Sequence, residues 1–169
     1  MNYKRIFLVG FMCSGKSTVG KILSSRLGWS FADVDEEVQK AEAMTIQEIF
    51  EKKGEDYFRR LELEMLKALS QGENIVISTG GGLGSNPHAM ELMKSKGLVA
   101  WLKVGFDTFI KRCGKDPSRP LLRKGKEELL KLFEERSKIY AQAHIVLDAS
   151  LKPEEIVEGI LNYLLCKKG

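Results

Sequence analysis

The chain has 169 residues, 43% of them hydrophobic and 30% charged, which supplies one compact domain over 1–169 with a substantial core. Lysine and arginine number 27 against 23 acidic residues; the net charge of +4 suits small anionic ligands and lacks the dense basic tract of a nucleic-acid binder. Cys13, Cys113 and Cys166 are too few and too scattered for a disulfide framework or a zinc site, so they read as reduced thiols of a cytoplasmic protein.

The first element is the apolar run Ile6–Val9, read as a strand. Lys4-Arg5 precedes it, but the run is too short for a membrane span and no small-residue cleavage site follows, so no membrane association is expected. Directly after it comes Gly10-Phe11-Met12-Cys13-Ser14-Gly15-Lys16-Ser17, which matches G-x-x-x-x-G-K-[ST], the phosphate-binding loop of nucleoside-triphosphate enzymes. Glycines let consecutive backbone N–H groups turn toward an anion. Lys16 offers a cation to the outer phosphates, and the Ser17 hydroxyl suits Mg²⁺. The following stretch, Thr18 to Leu27, places Val19, Ile22, Leu23 and Leu27 on one helical face and would present its positive end to the same anion. Cys13, Ser14, Gly15, Lys16, Ser17 and Thr18 are therefore the expected phosphate-binding set.

A second strand over Ser30–Val34 leads into Asp33-Val34-Asp35. In an extended segment, side chains two apart share a side, so both carboxylates are expected to face the phosphate loop. One would hold the hydration shell of Mg²⁺, and Asp33 is the better candidate; the other would accept a hydrogen bond from a substrate hydroxyl. Met44 to Ser70 reads as an extra pair of helices, within a substrate-binding insertion of about 36–70. Thr45-Ile46-Gln47-Glu48 is a capping box, and Gly54 ends the helix it opens. In the second helix Arg59 and Glu62, three apart, share a face, so the glutamate would orient the guanidinium toward an anionic ligand.

The third strand, Ile75–Ser78, ends on Thr79-Gly80-Gly81-Gly82, where bare backbone N–H groups can meet hydroxyl or phosphate oxygens. Pro87 and Pro153 sit where a first-turn proline belongs, Leu98–Val104 and His144–Leu147 complete the strands, and His88 and His144 read as structural. Asp148 is assigned to a structural role or to the nucleobase side. Lys111 to Lys126 holds seven basic residues and one acid, with Arg119-Pro120-Leu121-Leu122 between Gly114 and Gly125; it is expected to be a mobile lid over about 112–126. Arg136 on the next helix is within reach of the same cleft, and the last helix turns Ile156, Val157, Ile160 and Leu164 to the core. Alternating strands and helices imply an α/β three-layer fold: a five-stranded parallel sheet flanked by helices, with ligands beyond the carboxyl ends of the strands.

Taken together, Asp33-x-Asp35, Phe58-Arg59-Arg60, Gly80-Gly81-Gly82 and Arg119-Pro120-Leu121-Leu122, in that order behind the phosphate loop, resemble the shikimate kinase family over essentially the whole chain. The resemblance implies a P-loop fold akin to nucleoside-monophosphate kinases, with ATP and Mg²⁺ as cofactors and the 3-hydroxyl of shikimate as phosphoryl acceptor in aromatic amino-acid biosynthesis. It also implies site roles. Lys16 and Ser17 hold phosphate and metal, Asp33 orients the metal through water, and Asp35 binds the reacting hydroxyl as candidate base. Arg59 and Arg136 grip the carboxylate beside Phe58, while Gly80, Gly81 and Gly82 meet the ring hydroxyls. Arg119 is the lid arginine, and Arg112 with the Ser150–Pro153 loop flanks the adenine. A monomer is expected. Two rivals remain at this point: a related kinase acting on gluconate or a nucleotide, and a nucleotide-gated binding module. No Asn-Lys-x-Asp guanine-reading motif supports the latter.

Overall fold

In the computed structural model, residues 3–113 and 125–167 are described. Five strands form one parallel sheet: β1 (Arg5–Val9), β2 (Ser30–Asp33), β3 (Ile75–Ser78), β4 (Leu98–Lys103) and β5 (Ile145–Asp148), in the order β2-β3-β1-β4-β5. The central strand explains its own position. Ile6, Phe7, Leu8 and Val9 are all fully buried, because a parallel strand covered on both faces has no side to leave polar. Its register sets Phe7 beside Ile77 of β3 and Val99 of β4. At the edge, β5 alternates half-buried and exposed positions, and Val146 is 53% exposed.

The connections are α1 (Lys16–Leu27), α2 (Val34–Glu42), α3 (Ile46–Lys53), α4 (Glu55–Leu69), α5 (Gly81–Gly84), α6 (Pro87–Lys96), α7 (Phe106–Cys113), α8 (Lys126–Tyr140) and α9 (Pro153–Cys166). Helix α1 rests on β3 and α9, while α6 rests on β4 and α8. Helices α3 and α4 form the expected pair. Thr45 caps α3 by accepting from the Glu48 N–H at 3.1 Å, and Gly54 ends it. Pro87 and Pro153 open α6 and α9. Both histidines are structural in position: His144 Nδ1 accepts from the Val99 N–H at 2.9 Å, and His88 lies in the first turn of α6.

Three expectations need correction. Val34 does not extend β2 but opens α2, because Asp33 is an N-cap whose carboxylate accepts from the Glu36 N–H at 3.1 Å. Asp33 and Asp35 therefore do not share a pleat; they reach the same cavity from a strand end and a first helical turn. After β3 the glycine run coils into the single turn of α5, Gly81–Gly84. Two of the three cysteines are not free thiols. Cys13 and Cys113, 100 residues apart in sequence, are disulfide-bonded with Cα atoms 6.0 Å apart, leaving Cys166 free and exposed. Spacing along the chain could not report that the end of α7 lands on the phosphate loop, and the argument from reduced thiols to a cytoplasmic protein falls with it.

Candidate active site

Because β1 is central, the loop that follows it emerges in the middle of the carboxyl edge of the sheet. The loop is the expected phosphate cradle. Gly15 stands at φ 87°, a left-handed conformation that lets the chain turn straight into α1. Lys16, only 9% exposed, lies back across the loop and donates to Gly10 O at 2.7 Å and Phe11 O at 3.1 Å. The ammonium is thus held over the concave side, where a phosphate chain would lie. A cavity of about 410 Å³ opens there, lined by residues that include Cys13, Gly15, Lys16, Ser17, Thr18, Asp33, Asp35, Gly80 and Gly81. A larger groove of about 460 Å³, walled by Tyr3, Leu27, Trp29 and Leu161, sits at the opposite end of the strands and contains none of these groups.

Ser17 Oγ donates to Asp33 Oδ2 at 2.6 Å, so one aspartate both caps α2 and fixes the loop hydroxyl. These are hard oxygen donors, a set that fits a partly hydrated Mg²⁺ taking its other ligands from phosphate and water. Among the described residues no group of three His, Cys, Asp or Glu side chains could hold a metal alone.

Asp35 is half-buried in the cavity wall. Its Oδ1 and Glu62 Oε2 are buried with no hydrogen-bond partner, and both carboxyls flank Gly80, where an added Cβ would stand 2.5 Å from Asp35 Oδ2 and 3.0 Å from Glu62 Oε2. Burial first, then the Glu62 carboxylate and the charge of Asp33, hold Asp35 well above the usual carboxylate range; Arg59 opposes them. Such a carboxyl is poised to take a proton and to meet a hydroxyl donor.

Glu62 is 1% exposed and accepts from Arg59 Nη1 at 2.6 Å, fixing the guanidinium plane. Burial pulls the Arg59 pKa down, but Glu62 and Glu55 outweigh it and the net shift is upward. The guanidinium lies so close to Gly82 that any Cβ there would collide with it. Phe58 is buried edge-on to Phe50, with Arg59 5.3 Å above its ring, so it forms a shelf under Arg59. Arg136, 9% exposed, stacks 5.6 Å over the Phe11 ring; burial, with Arg59 adding to it, lowers its pKa while Tyr140 opposes. One buried guanidinium, Arg136, and one half-buried, Arg59, face the glycine turn, an arrangement whose charge and geometry suit an anionic group.

Arg112 Nη2 donates to Ala149 O at 3.0 Å, which draws the end of α7 to the loop after β5, next to Pro153 at the start of α9. Asp148 ends β5 and is a structural anchor, accepting from Ser150 N at 3.0 Å and Ser150 Oγ at 2.6 Å. Arg119 and most of the expected lid, residues 114–124, lie outside the described residues.

One contributor, Tyr140, and one meeting of side chains, Asp35 with Glu62, escaped the sequence reading. Tyr140, fully buried, donates its hydroxyl to Gly81 O at 2.5 Å, and burial raises its pKa. The i, i+4 spacing from Arg136 was the available signal. Glu62 was legible as the partner of Arg59, but nothing in its spacing from Asp35 announced that the two carboxyls meet.

A central phosphate loop, a serine–aspartate pair beside it and a buried acceptor pocket across the cleft define a P-loop protein of the kinase type. A family model described as Shikimate kinase matches residues 12–165. The shikimate kinase of Aquifex aeolicus is 55% identical over 157 residues, covering 93% of this chain and 94% of that protein. Its crystal structure aligns with a TM-score of 0.91 at 54% identity, over 97% of this chain and 98% of that one. A shikimate kinase from Acinetobacter baumannii, solved in complex with shikimate, aligns with a TM-score of 0.92 at 33% identity, over 99% and 96% of the two chains. The chain belongs to the shikimate kinase family.

Proposed function

We propose that the protein transfers the γ-phosphoryl group of ATP to the 3-hydroxyl of shikimate, with Mg²⁺ as cofactor. The observation that carries this reading is the convergence of Asp35, the Arg59–Glu62 pair and the Gly80–Gly82 turn on one side of the phosphate loop. Shikimate presents one carboxylate and three hydroxyls, and the pocket answers with two guanidiniums, an aspartate and bare backbone.

In this mechanism the loop N–H groups and Lys16 hold the triphosphate. Ser17 and, through water, Asp33 would hold Mg²⁺, which would supply positive charge to the phosphate oxygens. Arg59 and Arg136 clamp the carboxylate, and Gly81 and Gly82 take ring hydroxyls, so that the 3-hydroxyl faces Asp35. Asp35 accepts that proton as the oxygen attacks phosphorus and ADP departs. Its raised proton affinity favours this step. Arg119 adds a cation to the transferring phosphates, and Arg112 with the Ser150–Pro153 loop borders the adenine.

Among the described residues no helix is long and apolar enough to cross a membrane. We place the reaction in the cytoplasm on the ground of its nucleotide substrate, and propose that the protein acts as a monomer. Incubation with ATP, Mg²⁺ and shikimate should give shikimate 3-phosphate by mass spectrometry, with gluconate and nucleoside monophosphates unreacted. ATP bound but shikimate untouched would overturn the reading.

A further inference from the structure

The phosphate loop is docked on α7 at two points. Phe109 meets Phe11 edge-on with ring centroids 4.8 Å apart, and one turn further along, Cys113 is bonded to Cys13. Residue spacings of two in the loop and four on the helix therefore form a continuous seam, whose aromatic half does not depend on the sulfur bond. Cys13 has φ 60°, the left-handed region that a residue with a Cβ rarely adopts, and it lines the nucleotide cavity. Cys113 is 1% exposed, whereas Cys13 is half-buried on the cavity wall.

We infer that Cys13 and Cys113 form a reversible thiol–disulfide site in the nucleotide cleft, modified by low-molecular-weight disulfides, whose oxidised form braces the loop in its anion-binding shape. This rests on the nucleotide-binding reading given above. The Cys13 thiolate attacks one sulfur of a small disulfide RSSR, forming Cys13–S–S–R and releasing RS⁻. The Cys113 thiolate then displaces the second RS⁻ and closes the Cys13–Cys113 bond. The two thiol protons pass to the two released thiolates, so RSSR is reduced to two RSH as the pair is oxidised. Small thiols run the exchange backwards. Once the bond is open, Cys13 relaxes toward negative φ, and the adjoining amides turn out of the concave array that meets the phosphates. Phe11 stays on Phe109, so the fold persists while the loop loses preorganisation.

The test uses full-length protein in a Cys166→Ser background, which removes the exposed thiol. After treatment with oxidised glutathione, the intact mass should fall by two hydrogens with no glutathione adduct. A retained adduct, or two thiols that still alkylate, overturns the proposal. ADP with Mg²⁺ is then titrated by calorimetry into the oxidised and the phosphine-reduced forms. The expected dissociation constant is about five- to thirtyfold weaker after reduction, the ratio a non-glycine residue gives up in the left-handed region. A change under threefold overturns the proposal while leaving the nucleotide reading intact; absence of ADP binding in both forms overturns both. Cys113→Ser should bind as the reduced form does under either treatment. Cys13→Gly in reducing buffer should recover affinity toward the oxidised value, because glycine enters the left-handed region freely; failure to recover refutes the backbone account.

Discussion

Asp35 owes its chemistry to its neighbours. An isolated, exposed aspartate would be ionised at neutral pH and a poor proton acceptor, whereas here burial and Glu62 raise its proton affinity. Replacing Asp35 with Asn should lower kcat by about 10²–10⁴-fold, while Kd for ATP changes little; isothermal titration beside steady-state kinetics separates the two. Glu62 acts on two groups at once. Glu62→Gln removes a negative charge beside Asp35, so the acid limb of the kcat/KM profile for shikimate should move to lower pH. It also frees the Arg59 guanidinium, so KM for shikimate should rise by about tenfold. An acid limb that stays in place would show that Asp35 is not the group titrating. Tyr140 is a positioning residue: Tyr140→Phe leaves Gly81 O without its donor and should raise KM for shikimate about three- to tenfold at nearly constant kcat.

At the scale of elements, two features of α4 and α5 are fitted to each other. The Arg59 guanidinium of α4 occupies the space where any side chain at Gly82 of α5 would have to go. Gly82→Ala should therefore displace Arg59 and weaken shikimate binding by at least tenfold without changing ADP affinity, measurable by titration of each ligand. The same elements show what a sequence can reveal. Local signals were sufficient for α3, whose Thr45–Glu48 cap and Gly54 stop are contained within ten residues, and for the phosphate loop, whose glycines and lysine are consecutive constraints on one turn. The Arg59–Glu62 pair was legible because helical spacing fixes which side chains meet. Asp33 misled because a strand-terminal aspartate and an N-cap look alike until Glu36, three residues on, is taken as the answering signal. The meetings of Asp35 with Glu62, Tyr140 with Gly81 and Cys13 with Cys113 depend on where separate elements dock, and no local pattern encodes that.

For the molecule as a whole, the acceptor pocket is a place where stability is given up. Two carboxyl oxygens, Asp35 Oδ1 and Glu62 Oε2, are buried without hydrogen-bond partners, and the fold tolerates them because the surrounding sheet, with nearly all of β1 and β4 enclosed, is well packed. The linkage has a definite sign. The folded protein holds a proton on Asp35 at pH values where the unfolded chain has lost it, so protonation favours the native state. That contribution is full below the ordinary carboxylate range, near pH 4, and is lost as pH rises through the raised pKa of the folded form. Asp35→Asn makes the group permanently neutral, with a donor for Glu62, and should remove the loss. In urea unfolding, the variant should be more stable than the parent at pH 8 by about 1–2 kcal/mol and about equal to it near pH 4. Equal midpoints at both pH values would mean that the pocket's carboxyls are relaxed in the unliganded protein. A gain in stability from the substitution that most reduces turnover would place the strain of this fold at the atom that accepts the proton.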